Sequence, residues 1–184
     1  MTALLAGEGL ALVRGGRLLF EGLDLTLHAG DAIHIVGPNG CGKSSLIRLI
    51  AGLLRPVAGR IERAPAALAD EALALDRELP LGRALGLWGG PLLAQAIAAF
   101  ELEPLVDVPV RLLSTGQAKR VRLARVLASG APLWLLDEPI NGLDYKGVNE
   151  LDHAIAAHRS SGGAVLAASH VPLSGEWRSL ELGA

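Results

Sequence analysis

The chain opens on short apolar runs broken by glycines, then changes its period twice. Leu10-Ala11-Leu12-Val13 and Arg17-Leu18-Leu19-Phe20 flank Gly15-Gly16, a spacing that predicts a β-hairpin. Leu23-Asp24-Leu25-Thr26-Leu27 alternates at period two, as a half-buried strand does. After a turn at Ala29-Gly30-Asp31, the apolar run Ala32 to Val36 leads through a glycine-rich segment into the amphipathic stretch Ser44 to Ile50. Pro56-Val57-Ala58-Gly59 predicts a turn before a short strand at Arg60-Ile61-Glu62. From Leu81 to Ser129 the signals become helical, with breaks at Gly89-Gly90-Pro91 and Pro104, and Gln117 to Ala128 is the clearest helix. Leu133 to Leu136 is an unbroken apolar run ending in acids, which predicts a buried parallel strand. Asp144 to His158 reads as helix and Ala164 to Ala168 as a second buried strand. This order predicts an α/β core with a helical insertion.

Composition narrows the class. At 184 residues, 51% apolar and 20% charged, the chain is one domain's worth of globular protein. Ala84 to Phe100 carries no charge, but it is short for a membrane span and interrupted, so two short helices are expected there. Met1 to Glu8 has neither a basic segment nor a long apolar one, so no secretory signal is expected. The net charge of -2 provides no broad cationic field, which argues against nucleic acid as a partner. The single cysteine, Cys41, excludes an internal disulfide and suits a reducing compartment.

The strongest chemistry lies in Gly37-Pro38-Asn39-Gly40-Cys41-Gly42-Lys43-Ser44. It fits G-x-x-x-x-G-K-[ST] between a strand and a helix, the setting of a phosphate-binding loop. Glycines let backbone amides turn toward phosphate oxygens, and the helix adds its positive end. In such a loop Lys43 reaches the β- and γ-phosphates and the Ser44 hydroxyl ligates Mg²⁺. Gly37 to Ser45 is therefore the expected ATP-binding segment. Asp137 and Glu138 end the apolar run at Leu133 to Leu136, where open α/β sheets bind ligands. Asp137 is expected to hold Mg²⁺, and Glu138 to polarise the water that attacks the γ-phosphate.

Leu113-Ser114-Thr115-Gly116-Gln117 precedes the basic helix, and here the chain resembles the ATP-binding-cassette ATPases, whose signature is L-S-G-G-Q. The resemblance spans nearly the whole length. It rests on five motifs in order: Gly37 to Ser44, Leu113 to Gln117, Leu133 to Glu138, Asn141-Gly142-Leu143-Asp144, and Ser169-His170. It implies a P-loop NTPase fold: a RecA-like core, an N-terminal antiparallel β-subdomain and a small helical signature subdomain. The whole is a single domain, 1–184, with core and β-lobe at about 1–79 and 130–184 and the helical part at about 80–129. It implies a head-to-tail dimer in which Ser114, Thr115, Gly116 and Gln117 complete the partner's nucleotide site. Asp144 then lies at the dimer seam and His170 faces the γ-phosphate. Lys43, Glu138 and His170 are the catalytic set, and Ser44 and Asp137 the metal ligands.

The chain departs from the family pattern at three points. Thr115 replaces the commoner glycine. The loop that normally offers a glutamine to Mg²⁺ falls near Leu68 to Leu75, where Glu71 is the best alignment. The adenine-stacking aromatic is missing near Val13 to Gly15, leaving Arg14 to stack its guanidinium on the base or to serve as an exposed turn residue. The Cys41 thiol is either activated by the loop amides or a small filler.

Pro109 to Ser114 and Ser169-His170-Val171-Pro172-Leu173 resemble the ATP-binding subunit of the bacterial cytochrome c maturation haem exporter. That resemblance implies an integral membrane permease partner and other cytochrome c maturation proteins. It also implies a peripheral place on the cytoplasmic face of the inner membrane, and release of haem-loaded chaperone driven by ATP hydrolysis. Leu87, Trp88 and Leu92 are expected to form an apolar patch that grips the permease, or else to pack within the small lobe. Other readings are a cassette for another cargo, a soluble cassette ATPase acting on DNA or ribosomes, and a non-hydrolysing nucleotide-gated module. Intact Glu138 and His170 disfavour the last.

Overall fold

The structure is a computed structural model that describes residues 2–72 and 74–183. Two sheets form its frame. The first is antiparallel, with strands β1 (Leu5–Arg14), β2 (Arg17–Leu27) and β4 (Ala58–Arg63) in the order β2-β1-β4. The second is parallel and runs β5-β6-β7-β3-β8, from β3 (Ala32–Val36), β5 (Ala66–Ala69), β6 (Leu133–Asp137), β7 (Ala164–Ala168) and β8 (Arg178–Glu181).

The glycine pair closes the β1–β2 hairpin as expected, with Arg14 opposite Arg17. Leu23 to Leu27 is not a separate strand. It continues β2, whose register against β1 shifts near Gly22, a residue with φ of +63°. Helix α1 (Lys43–Ile50) follows β3 directly. Helices α2 (Leu81–Gly86), α3 (Leu93–Ala99) and α4 (Thr115–Ala128) are inserted between β5 and β6. The chain turns at Gly89 and Gly90 between α2 and α3, where Gly90 N–H donates to Ala128 O at the end of α4. Helix α5 (Tyr145–Ser160) joins β6 to β7.

Period-two alternation divides the core. Leu133 and Leu135 of β6, with Ile33 and Ile35 of β3, face α1 and the antiparallel sheet. Trp134 and Leu136 point the other way, into a cluster built on α2 to α5. Each Leu or Ile buried in this way stabilises the fold by about 1.5–3 kcal/mol. The same alternation places Asp137 on the α1 side of the sheet. That geometric consequence sets up the site.

Candidate functional site

Strand β3 ends in a loop that only glycine can build at Gly37. Its φ is +145°, and a Cβ there would lie 2.3 Å from the carbonyl oxygen of Leu182. The loop leads into α1 through Gly42, which is left-handed and supplies no side-chain cap. No acidic residue stands in the first turn of α1. The helix start therefore keeps free amides and its positive end, the arrangement that receives an anion. Lys43 is buried, and its Nζ donates to Gly37 O at 2.7 Å and Pro38 O at 3.1 Å.

Ser44 begins the α1 face that packs on β6, and its Oγ donates to Asp137 Oδ1 at 2.8 Å. Asp137 is 5% exposed. Burial raises its pKa above the usual carboxylate value of 3.8, the Ser44 and Arg48 interactions oppose that, and Glu138 and Asp70 add to it. Two hard oxygen donors, one with an unfavourable buried charge, fit a small divalent cation.

Glu138 is one of two non-glycine residues with positive φ among the described residues, at +48°. Its carboxylate is held by two neighbours. Oε1 lies 3.1 Å from His170 Nε2, and Oε2 accepts from Asn141 Nδ2 at 3.2 Å and His170 N–H at 3.4 Å. Its backbone N–H donates to Ala168 O at 2.8 Å, and Lys119 Nζ donates to its carbonyl at 2.6 Å.

Arg14, Leu19, Asn39, Gly40, Gly42 to Ser45, Glu138 and His170 line one cavity of about 340 Å³. Arg14 thus shares a cavity with the loop and the start of α1. Cys41 does not line this cavity. It is 6% exposed and packs in the core beneath the loop.

Ser114 caps α4 in a reciprocal box, accepting from Gln117 N–H at 3.3 Å while Gln117 Oε1 accepts from Ser114 N–H at 2.9 Å. Ser114 and Gln117 are absent from the cavity wall, as are Thr115 and Gly116. Gly116 packs on the Asn141–Asp144 segment, since a Cβ there would lie 3.2 Å from Gly142 O. Asp144 caps α5 by accepting from Gly147 N–H at 2.8 Å.

Glu71 is exposed and follows β5. Its neighbour Asp70 instead forms the ion pair, 3.7 Å from Arg48 Nη2. The expected apolar patch is divided: Leu87 and Trp88 are exposed, whereas Leu92 turns inward against the core. Sequence reasoning placed Lys119 in a basic helix and Asn141 in a loop motif without linking either to Glu138. An amide three residues past the acid was the available signal for Asn141, and nothing in the residue pattern pointed to the bond from Lys119.

A glycine loop at a helix start, a serine–aspartate pair beside it and a glutamate–histidine pair at the strand ends define a P-loop nucleoside triphosphatase. The profile of the ABC transporter family matches residues 20–141. "Cytochrome c biogenesis ATP-binding export protein CcmA" of Sphingopyxis alaskensis is 56% identical over 181 residues, covering 95% of this chain and 93% of that protein. The protein of the same name from Zymomonas mobilis is 51% identical over 188 residues, covering 98% and 85%. Among solved structures, an ATP-binding subunit of an ABC transporter aligns with a TM-score of 0.86 at 22% identity, covering 98% of this chain and 88% of that one. The cbiO1 protein of Clostridium perfringens aligns with a TM-score of 0.76 at 25% identity, covering 92% and 79%. The chain belongs to the ABC transporter family, as one of its ATP-binding, ATP-hydrolysing members. The α/β P-loop class read from the sequence stands.

Proposed function

We propose that this chain is the ATP-hydrolysing subunit of the haem exporter that serves cytochrome c biogenesis. Two copies pair head to tail, and each nucleotide is gripped by the P-loop of one copy and capped by Ser114 to Gln117 of the other. Closure around ATP works on an integral membrane permease, and hydrolysis reopens the pair and drives release of haem-loaded chaperone by the other maturation proteins. The chain sits on the cytoplasmic face of the bacterial inner membrane through that permease; among the described residues no helix is long and apolar enough to cross it.

The observation that carries the chemistry is the convergence of Lys43, the Ser44–Asp137 pair and the Glu138–His170 pair at the ends of β3, β6 and β7. Ser44 and Asp137 hold Mg²⁺, which when bound neutralises phosphate charge. Gly37 to Ser45 cradle the phosphates, and Lys43 leaves its carbonyl partners for the terminal oxygens. Arg14 lies against the base. Glu138 takes the proton of the attacking water, with His170 orienting both the carboxylate and the γ-phosphate. Glu71 approaches the cation side from the loop after β5.

A groove on the far side of β5 supports the permease contact. Leu53, Leu68, Trp88 and Arg125 line it, with the Arg125 guanidinium 5.4 Å over the Trp88 ring and donating to Leu68 O at 2.8 Å.

The test is a pair of variants in cells that depend on this chain for c-type cytochromes. Lys43→Ala abolishes ATP binding. Glu138→Gln binds ATP but turns over about 10²–10⁴-fold slower, the range of a lost general base. Neither supports assembly of haem-bearing cytochrome c. Normal cytochrome maturation with either variant contradicts the haem assignment, and normal turnover in Glu138→Gln contradicts the role of Glu138.

A further inference from the structure

Lys119 sits where a lysine is costly. It is 4% exposed, on the second turn of α4, and its only hydrogen-bond acceptor among the described residues is the backbone carbonyl of Glu138, at 2.6 Å. Taking an ammonium out of water is costly unless it is well paired. Burial lowers its pKa below 10.5, reinforced by Arg122 and opposed by Asp137, Glu138 and Glu71. A methionine would fill the same space without that cost.

The peptide it holds is itself unusual. Glu138 is left-handed at φ +48°, a conformation that L-residues rarely adopt because Cβ crowds the following carbonyl oxygen. It also precedes Pro139, which disfavours helical backbone at the residue before it. Two bonds clamp the strained unit: its N–H to Ala168 O at 2.8 Å and its C=O from Lys119 at 2.6 Å. Asn141 N–H shares that carbonyl only at 3.3 Å. Backbone direction at Glu138 decides where its Cβ aims, and so where the carboxylate meets His170.

We propose that Lys119 is a positioning residue for hydrolysis: by pinning the Glu138 carbonyl it holds that residue in its left-handed conformation, with the carboxylate facing the reacting water. Lys119 lies one helical turn from Ser114 to Gln117, which occupy the start of the same helix. The bond therefore ties the α4 end offered to the second copy to the glutamate of the chain's own site. How α4 is seated then sets how well Glu138 is aimed. This inference rests on the role proposed above for Glu138.

The experiment compares steady-state ATP turnover of the full chain in its membrane assembly for Lys119→Met, Glu138→Gln and the double variant, with ATP affinity and thermal unfolding measured alongside. Lys119→Met lowers kcat about 10–100-fold, the scale of a displaced catalytic group. KM and ATP affinity stay within about twofold, because the phosphate grip is untouched. In the Glu138→Gln background the same substitution lowers the residual rate no further. Lys119→Gln, which keeps an N–H donor, recovers part of the loss; if Lys119→Met does not fold, Lys119→Gln is judged by the same split between kcat and KM. A folded Lys119→Met chain with wild-type kcat overturns the inference, as does an equal fall in both backgrounds. Wild-type turnover in Glu138→Gln alone removes the underlying role of Glu138, an outcome separable from either.

Discussion

Replacing Gly37 with alanine sets one methyl group against the backbone just past β8. The added Cβ falls 2.3 Å from Leu182 O, 3.3 Å from its carbonyl carbon and 2.9 Å from Cys41 Sγ. Ordinary carbon–oxygen contact needs about 1 Å more, so the loop or the Leu182 peptide must shift. Leu182 cannot yield freely, because its N–H donates to Val36 O at 2.9 Å next to the loop. Overpacking of this kind costs about 1–3 kcal/mol, and φ of +145° adds about 1–2 kcal/mol for an L-residue. The sum, about 2–5 kcal/mol, lowers the melting temperature of a chain this size by about 5–15 °C. Gly162→Ala separates the two effects, since its φ is +92° but nothing lies within 4 Å of the added carbon. It should cost about 1–2 kcal/mol from backbone strain alone. Displacing Gly37 O also moves an acceptor of Lys43, so ATP affinity falls in Gly37→Ala and stays unchanged in Gly162→Ala. Urea unfolding and ATP titration of both variants measure this. Equal destabilisation in the two, with ATP affinity intact in both, would refute the close-approach argument.

Ser114→Ala removes the α4 cap and should cost about 1 kcal/mol in unfolding experiments, while ATP turnover of the paired assembly drops far more than that stability change explains. Trp88→Ala loses a contact with Arg125 worth about 0.5–1 kcal/mol, so pull-down with the permease weakens while melting shifts by only about 1–4 °C; unchanged recovery of the complex removes the groove from the docking surface. Glu150 is buried, and neither carboxylate oxygen has a hydrogen-bond partner among the described residues. Burial raises its pKa above 4.5 against the pull of Arg120, whose Nη1 is 3.9 Å away. A folded value above the unfolded one means its contribution is complete below pH 4.5 and is lost as pH rises through the folded value. Glu150→Gln should therefore match the wild type below that pH and exceed it in melting temperature at about pH 7; a pH-independent difference between them would count against this.

How far the sequence carried the fold depended on how local each cause was. The phosphate loop was legible because its glycines, lysine and flanking periods all lie between Ala32 and Ile50. Asp137 was legible as a ligand for the same reason, and its pairing with Ser44 follows once period two assigns the faces of β6. Strands β5 and β8 were missed. Ala66–Ala69 is almost all alanine, a weak strand former, and Arg178–Glu181 is a largely exposed four-residue edge without an apolar face. Both are specified by the parallel partner they pair with rather than by their own residues. The inward turn of Leu92 was likewise set by the buried cluster it packs against, which the uncharged stretch around it does not reveal. The hold of Lys119 on Glu138 joins residues 19 positions apart through a backbone atom, and no side-chain pattern announces such a bond.

The central claim is that each nucleotide site is shared between two copies, with Lys43 from one and Ser114 from the other. Lys43→Ala and Ser114→Arg chains should each be inactive alone. Mixed in equal amounts, they should form mixed pairs that hold one doubly damaged site and one intact site. The account predicts that phosphate release returns on mixing, to about a quarter of the wild-type rate if pairing is random and each site works independently. A mixture as inactive as its components, with pairing confirmed by sedimentation, would contradict it.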